Sequence, residues 1–192
     1  MDIIRHIGIG YNVIFLDIDS VCNHSRKAET AYDGEYPDGW FIADRVPLCA
    51  DNVKALKSII GGIENPAIVW STDWRLFDED VWHGWKNPLK WLENEGGLKS
   101  YVIGNTPKKM SSNRHEEIMM WLRNEAWPAM TNFVILDDIE YGMEMFHRHF
   151  FKCDYDKGLI ADIADAVIKF LSVPADDMGL YSGKRRVYGK DR

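Results

Sequence analysis

The chain has 192 residues, 46% hydrophobic and 28% charged, which is enough for one domain with a substantial core. A formal net charge of −7 argues against gripping long nucleic acid, which needs a basic face, but leaves room for a small anionic substrate. No apolar run reaches the length of a membrane span, and Cys22, Cys49 and Cys153 form no CxxC or Cys/His cluster. Neither a disulfide framework nor a zinc site is therefore expected, and a reducing cytoplasm is the expected location.

In chain order, Tyr11-Asn-Val-Ile-Phe-Leu ends in Asp17, a continuous apolar run that predicts a strand buried on both faces. Residues 23–47 are polar and rich in Gly, Pro and aromatics (Tyr32, Tyr36, Trp40, Phe41), and read as a small lid excursion. A helix is predicted over 51–60, closed by Gly61-Gly62, then a strand over 67–70 that stops at Ser71-Thr72. The Trp-rich stretch 74–91 is predicted to be partly helical, broken near Pro88 and closed at Gly96-Gly97. A short strand over 100–103 and a turn at 104–107 follow, then a helix over 111–125 and a strand over 132–136 ending at Asp137-Asp138. Phe150-Phe151 predicts a last strand and 160–171 a closing helix; residues 182–192 form a basic tail after a domain spanning 1–181. Alternating strands and helices predict an α/β fold with a mainly parallel sheet.

Three of these strands end in a restricted set of side chains: Asp17 and Asp19, Ser71 and Thr72, Asp137 and Asp138. Ligands of open α/β sheets bind outside the carboxyl ends of the strands, so the three groups should converge. Clustered carboxylates repel unless a cation joins them, and oxygen-only ligands favour Mg²⁺. Asp17 can then attack a phosphoryl group and form an acyl phosphate, while Asp19 protonates the leaving alcohol and later deprotonates water. The Thr72 hydroxyl can donate to a phosphoryl oxygen. The cation for the transition state is expected from Arg114, with Lys108 and Lys109 as second and third choices.

The stretches FLDIDSV, IVWSTDWR, RHEEIMMWL and FVILDD resemble the four motifs of the haloacid dehalogenase (HAD) superfamily, in order. Within it, the chain is similar to a small subgroup of phosphatase-like domains in RNA-repair proteins and in stand-alone viral and bacterial proteins. Thr72-Asp73-Trp74-Arg75 matches that subgroup's Ser/Thr-x-Trp-Arg signature, and residues 106–122 resemble its TP…R-x-EI-x-x-WL stretch. The resemblance implies a Rossmann-like three-layer α/β/α fold and a phosphatase using Mg²⁺. It also implies metal ligation by Asp17, the Asp19 carbonyl and Asp137, with Asp138 direct or through water. Two positions depart from the pattern: Ser20 replaces the usual Gly, tightening the turn, and the motif-three cation is Arg rather than Lys.

Ser71, Trp74, Arg75 and Lys108 are expected at the substrate, although Arg75 could instead lock its loop. Trp74, Trp82, Trp85 and Trp91 either stack a nucleobase or fill the core. His147 and His149 read as surface or half-buried residues rather than ligands. No P-loop is present, and the order of the acids is wrong for a receiver domain. A nucleotide 5′-phosphate is the expected substrate. A polynucleotide end is the alternative, supported by the basic tail, and a non-catalytic binding module is a third reading.

Overall fold

A computed structural model describes residues 10–24, 46–77, 80–82, 85–108, 113–124 and 130–173. Positions 25–45 of the expected lid, Lys109 and the basic tail lie outside the described residues. Strand β1 (Tyr11–Leu16) precedes helix α1 (Ala50–Gly62), β2 (Pro66–Trp70) and a 3₁₀ turn (Asp73–Leu76). A short antiparallel pair, β3 (Asp80–Trp82) and β4 (Trp85–Lys86), leads to α2 (Pro88–Asn94) and β5 (Val102–Asn105). The chain continues through α3 (Arg114–Asn124), β6 (Met130–Asp137), a second 3₁₀ turn (Met143–Phe146), β7 (Phe150–Lys152) and α4 (Ala161–Leu171).

The main sheet has the order β5-β2-β1-β6-β7 and every pairing in it is parallel. The chain begins at the centre, builds outward to β5, then returns to the other side of β1. That reversal is a topological switch point, where the loops at the carboxyl edge diverge and leave a crevice.

Alternation along the strands explains the layers. Ile14, Leu16, Ile68, Trp70, Val134 and Leu136 pack on one face with Leu56 and Ile59 of α1, Leu92 of α2 and Val167 of α4. Val13, Phe15, Ala67, Val69 and Ile135 pack on the other with Ile118 and Trp121 of α3 and with Phe146. The Phe15 ring meets the edge of Trp121 at 5.2 Å and of Phe133 at 5.9 Å. This is the expected three-layer α/β/α arrangement. No helix among the described residues is long and apolar enough to cross a membrane.

Some element boundaries differ from those read in the sequence. Pro88 begins α2 rather than breaking a helix, because its missing N–H costs nothing at the first helical position and Asn87 caps Leu89 N–H at 2.9 Å. Gly61 and Gly62 complete the last turn of α1 instead of ending it. Gly104 and Asn105, predicted as a turn, extend β5 beside Val69 and Trp70. Tertiary pairing outweighs glycine's weak strand preference there. His149 is stacked on Phe133 at 4.0 Å, with Nδ1 2.8 Å from the Phe133 carbonyl, which suits a half-buried structural histidine.

Candidate active site

Register brings the strand ends together. Leu16 lies opposite Leu136 on β6 and Trp70 on β2, so Asp17 emerges between Asp137 and Ser71. The main chain locks both sides: Asp17 N–H donates to Leu136 at 3.0 Å, and Ser71 N–H donates to Leu16 at 2.8 Å. Asp17 and Asp137 are 3% and 1% exposed, and one oxygen each of Asp17, Asp137 and Asp138 lies within 4.8 Å of the others.

Burial of these carboxyls disfavours their charge. It pushes Asp17 well above the usual carboxylate range despite the pull of Arg114, with Asp137 and Asp19 adding repulsion. Asp137 is raised to about 6, chiefly by burial. Asp138 is raised for the same reason, opposed by hydrogen bonds that include one from the Ser20 side chain. Asp137 Oδ1 accepts the Ile139 N–H at 2.9 Å, while the buried Oδ2 has no hydrogen-bond partner. An all-oxygen donor set with a buried oxygen that accepts no hydrogen bond fits Mg²⁺.

The pH dependence follows with a definite sign. A carboxyl raised on folding binds its proton more tightly folded than unfolded, so metal-free stability falls as pH rises from about 4 through about 6. An ion must displace that proton. Stabilisation by Mg²⁺ in a thermal melt is therefore expected to be larger at about pH 7.5 than at about pH 5.

Arg114, the first residue of α3, reaches both acids: Nη2 lies 3.5 Å from Asp17 Oδ1 and Nε 3.4 Å from Asp137 Oδ2. Its side chain is 13% exposed, and the surrounding carboxylates raise its pKa further. A cation at a helix N-terminus opposes the dipole, and the two acids offset that cost. Lys108, the second candidate, instead sits 3.1 Å from Asp73 and 3.7 Å from Glu117. Lys109 lies outside the described residues.

The loop after β1 turns sharply. Ser20 has φ +56, a left-handed conformation that costs a non-glycine residue about 1–2 kcal/mol. Asn23 holds the turn: its Oδ1 accepts the Ser20 N–H at 2.8 Å, and its Nδ2 donates to Asp19 Oδ1 at 3.1 Å and to the Pro47 carbonyl at 3.2 Å. Asp19 is exposed, and its carboxylate, outside the Asp17–Asp137–Asp138 oxygen group, accepts the indole N–H of Trp74.

Trp74, expected at the substrate, lies instead in the main core at 6% exposure. Its ring packs edge-on to Phe77, and burying so large an apolar surface outweighs display to a ligand. Arg75 likewise locks its loop rather than facing a substrate. Its side chain only 3% exposed, it pairs with buried Glu117 at 2.7 Å, donates to the Thr106 carbonyl at 3.1 Å and also bonds the Thr72 carbonyl. Thr72 caps the first 3₁₀ turn, its Oγ1 accepting the Trp74 N–H at 3.4 Å. Ser71 is 1% exposed, and its Oγ has no hydrogen-bond partner.

Asn23, Glu117 and the Ser20 hydroxyl were not singled out from sequence. The Ser20-x-x-Asn23 spacing offers a turn signal. Glu117 lies in the EI-x-x-WL stretch, but nothing local shows its partner, which is 42 residues away.

The loop after the second acid pair is fastened to α3. Gly142 has φ +80, and a Cβ there would collide with the His115 ring, next to Arg114. Gly142→Ala is expected to destabilise the protein by about 1–3 kcal/mol, read as a lower denaturation midpoint with unchanged m-value.

A parallel sheet in this order, with carboxylates on two adjacent strand ends and an arginine across them, defines a HAD-type hydrolase domain. The chain belongs to the family described as the HAD domain in Swiss Army Knife RNA repair proteins, which matches residues 13–164. No curated protein and no solved structure matches the chain.

Proposed function

We propose that the protein hydrolyses phosphomonoesters through an aspartyl-phosphate on Asp17. The observation that carries this reading is the seating of Asp17 beside Asp137 with Arg114 within 3.5 Å of both. Asp17, Asp137, Asp138 and the Asp19 carbonyl would hold Mg²⁺, which supplies charge neutralisation at the phosphoryl oxygens. An Asp17 oxygen attacks phosphorus, the bond to the leaving oxygen breaks with its electron pair, and Asp19 gives that oxygen a proton. Asp19 then takes a proton from water as its oxygen attacks phosphorus, and the electron pair of the broken bond returns to Asp17. Arg114 stabilises the charge that develops on the transferring group.

Of the two hydroxyls after β2, Ser71 is the better placed phosphoryl donor. It is beside Asp17 in register and its hydroxyl has no partner; Thr72, whose Oγ1 accepts the Trp74 N–H, keeps its own O–H to donate and is the second choice. Turnover of p-nitrophenyl phosphate with Mg²⁺, abolished by EDTA, is the expected result. No metal-dependent release would favour a non-catalytic binding module.

A nucleotide 5′-phosphate remains the first substrate reading, resting on the aromatic residues between 23 and 47. The family's description, RNA repair, supports a second, the terminal phosphate of an RNA strand. The net charge of −7 weighs against it. A panel of nucleoside monophosphates against 5′- and 3′-phosphorylated oligonucleotides separates them by kcat/KM.

A further inference from the structure

We propose that Trp74 is a positioning residue for Asp19, holding the acid's carboxyl at a fixed angle with its less engaged oxygen left to carry the transferable proton. This rests on the reading of Asp19 as the group that protonates the leaving alcohol. Trp74 Nε1 lies 3.1 Å from Oδ1 and 3.0 Å from Oδ2, so one N–H straddles the carboxyl and fixes its plane. Asn23 Nδ2 adds a second bond to Oδ1 at 3.1 Å. Oδ1 thus accepts Asn23 and a share of the indole N–H, and Oδ2 only a share of the indole N–H. Oδ2 is the oxygen with capacity left for a proton. An indole nitrogen donates and never accepts, so Trp74 orients the acid without competing for that proton.

Trp74 is itself held from several sides. Its main-chain N–H is capped by Thr72 at 3.4 Å, its carbonyl accepts Asn87 Nδ2 at 3.1 Å, and its ring meets Phe77 at 6.1 Å. Next to it, Arg75 ties the same turn to Glu117 and Thr106. The Thr72-Asp73-Trp74-Arg75 signature is therefore a brace between two loops. Its arginine fixes the turn to α3, and its tryptophan transmits that fixed position to Asp19, 55 residues away.

A leaving-group series reads positioning separately from folding. When the P–O bond breaks, its electron pair stays on the leaving oxygen; an alkoxide needs the Asp19 proton at once, whereas a dinitrophenolate departs without it. For Trp74→Phe, kcat/KM is expected to fall at least ~10-fold more for an alkyl phosphate than for 2,4-dinitrophenyl phosphate. Asp19→Asn should show the same differential, more strongly. An equal loss on both substrates, or none, in Trp74→Phe would overturn the proposal. No differential in Asp19→Asn would overturn the acid assignment itself, and a wild-type protein that turns over neither ester would overturn the hydrolase reading.

Should Trp74→Phe fail to fold, the contact is read in the intact chain. With ¹⁵N-labelled tryptophan, Asp19→Asn is expected to move one of the eight indole N–H resonances upfield, as a charged acceptor becomes a neutral one. If none moves, the indole does not hold the acid.

Discussion

Asp17→Asn is expected to lower turnover by on the order of 10³-fold or more while raising the melting temperature of the metal-free protein. The first effect follows from chemistry, because an amide has no oxygen basic enough to displace an alkoxide from phosphorus. The second follows from burial. Folding takes Asp17 out of water beside two further acids and one guanidinium, so at neutral pH its carboxyl must either hold a charge or take up a proton, and both cost free energy. An isosteric amide removes that cost and leaves Arg114 paired with Asp137. Parallel measurements of kcat and of the melting temperature in EDTA check both halves. Loss of activity through unfolding would lower the two together, so opposite changes are the distinguishing result.

The second large effect concerns stability. Arg75 and Glu117 are 3% and 2% exposed and 2.7 Å apart, so neither charge has water to fall back on. Removing one partner leaves the other only longer ion pairs, Lys108 at 3.7 Å from Glu117 or Asp73 at 3.7 Å from Arg75, and Arg75→Ala or Glu117→Ala is expected to cost about 3–5 kcal/mol in denaturant unfolding. Replacing both together by Met and Leu should cost far less than the two single losses added, since no buried charge is then unpaired. The single variants should also lose activity, because the same arginine carries the turn that holds Trp74. Additive costs would place the stabilisation in side-chain packing rather than in the pair.

What the sequence disclosed depended on how local the cause was. Three apolar runs, each stopped by acids or hydroxyls, identified the central strands, and the parallel-sheet rule placed Asp17, Ser71 and Asp137 at one edge. The side-chain contacts were less legible. Trp74 and an exposed tryptophan look alike in composition; only the packing against Phe77 and the bond to Asp19 tell them apart. Pro88 reads equally as a helix breaker or as a first helical residue, and the Asn87 cap decided it. The local roles of Ser71 and Thr72 were not legible either: the strand register sets Ser71 beside Asp17, and the 3₁₀ turn makes Thr72 its cap. Arg75 could not be assigned until α3 brought Glu117 to it.

The claim that Asp17 is the nucleophile is tested most directly by acid-quenching a single turnover with ³²P-labelled phosphomonoester and mapping the label. A hydroxylamine-sensitive acyl phosphate on Asp17, forming before phosphate appears and absent from Asp17→Asn, is the predicted result. Phosphate release with no labelled protein at any time, or label on another residue, would contradict it.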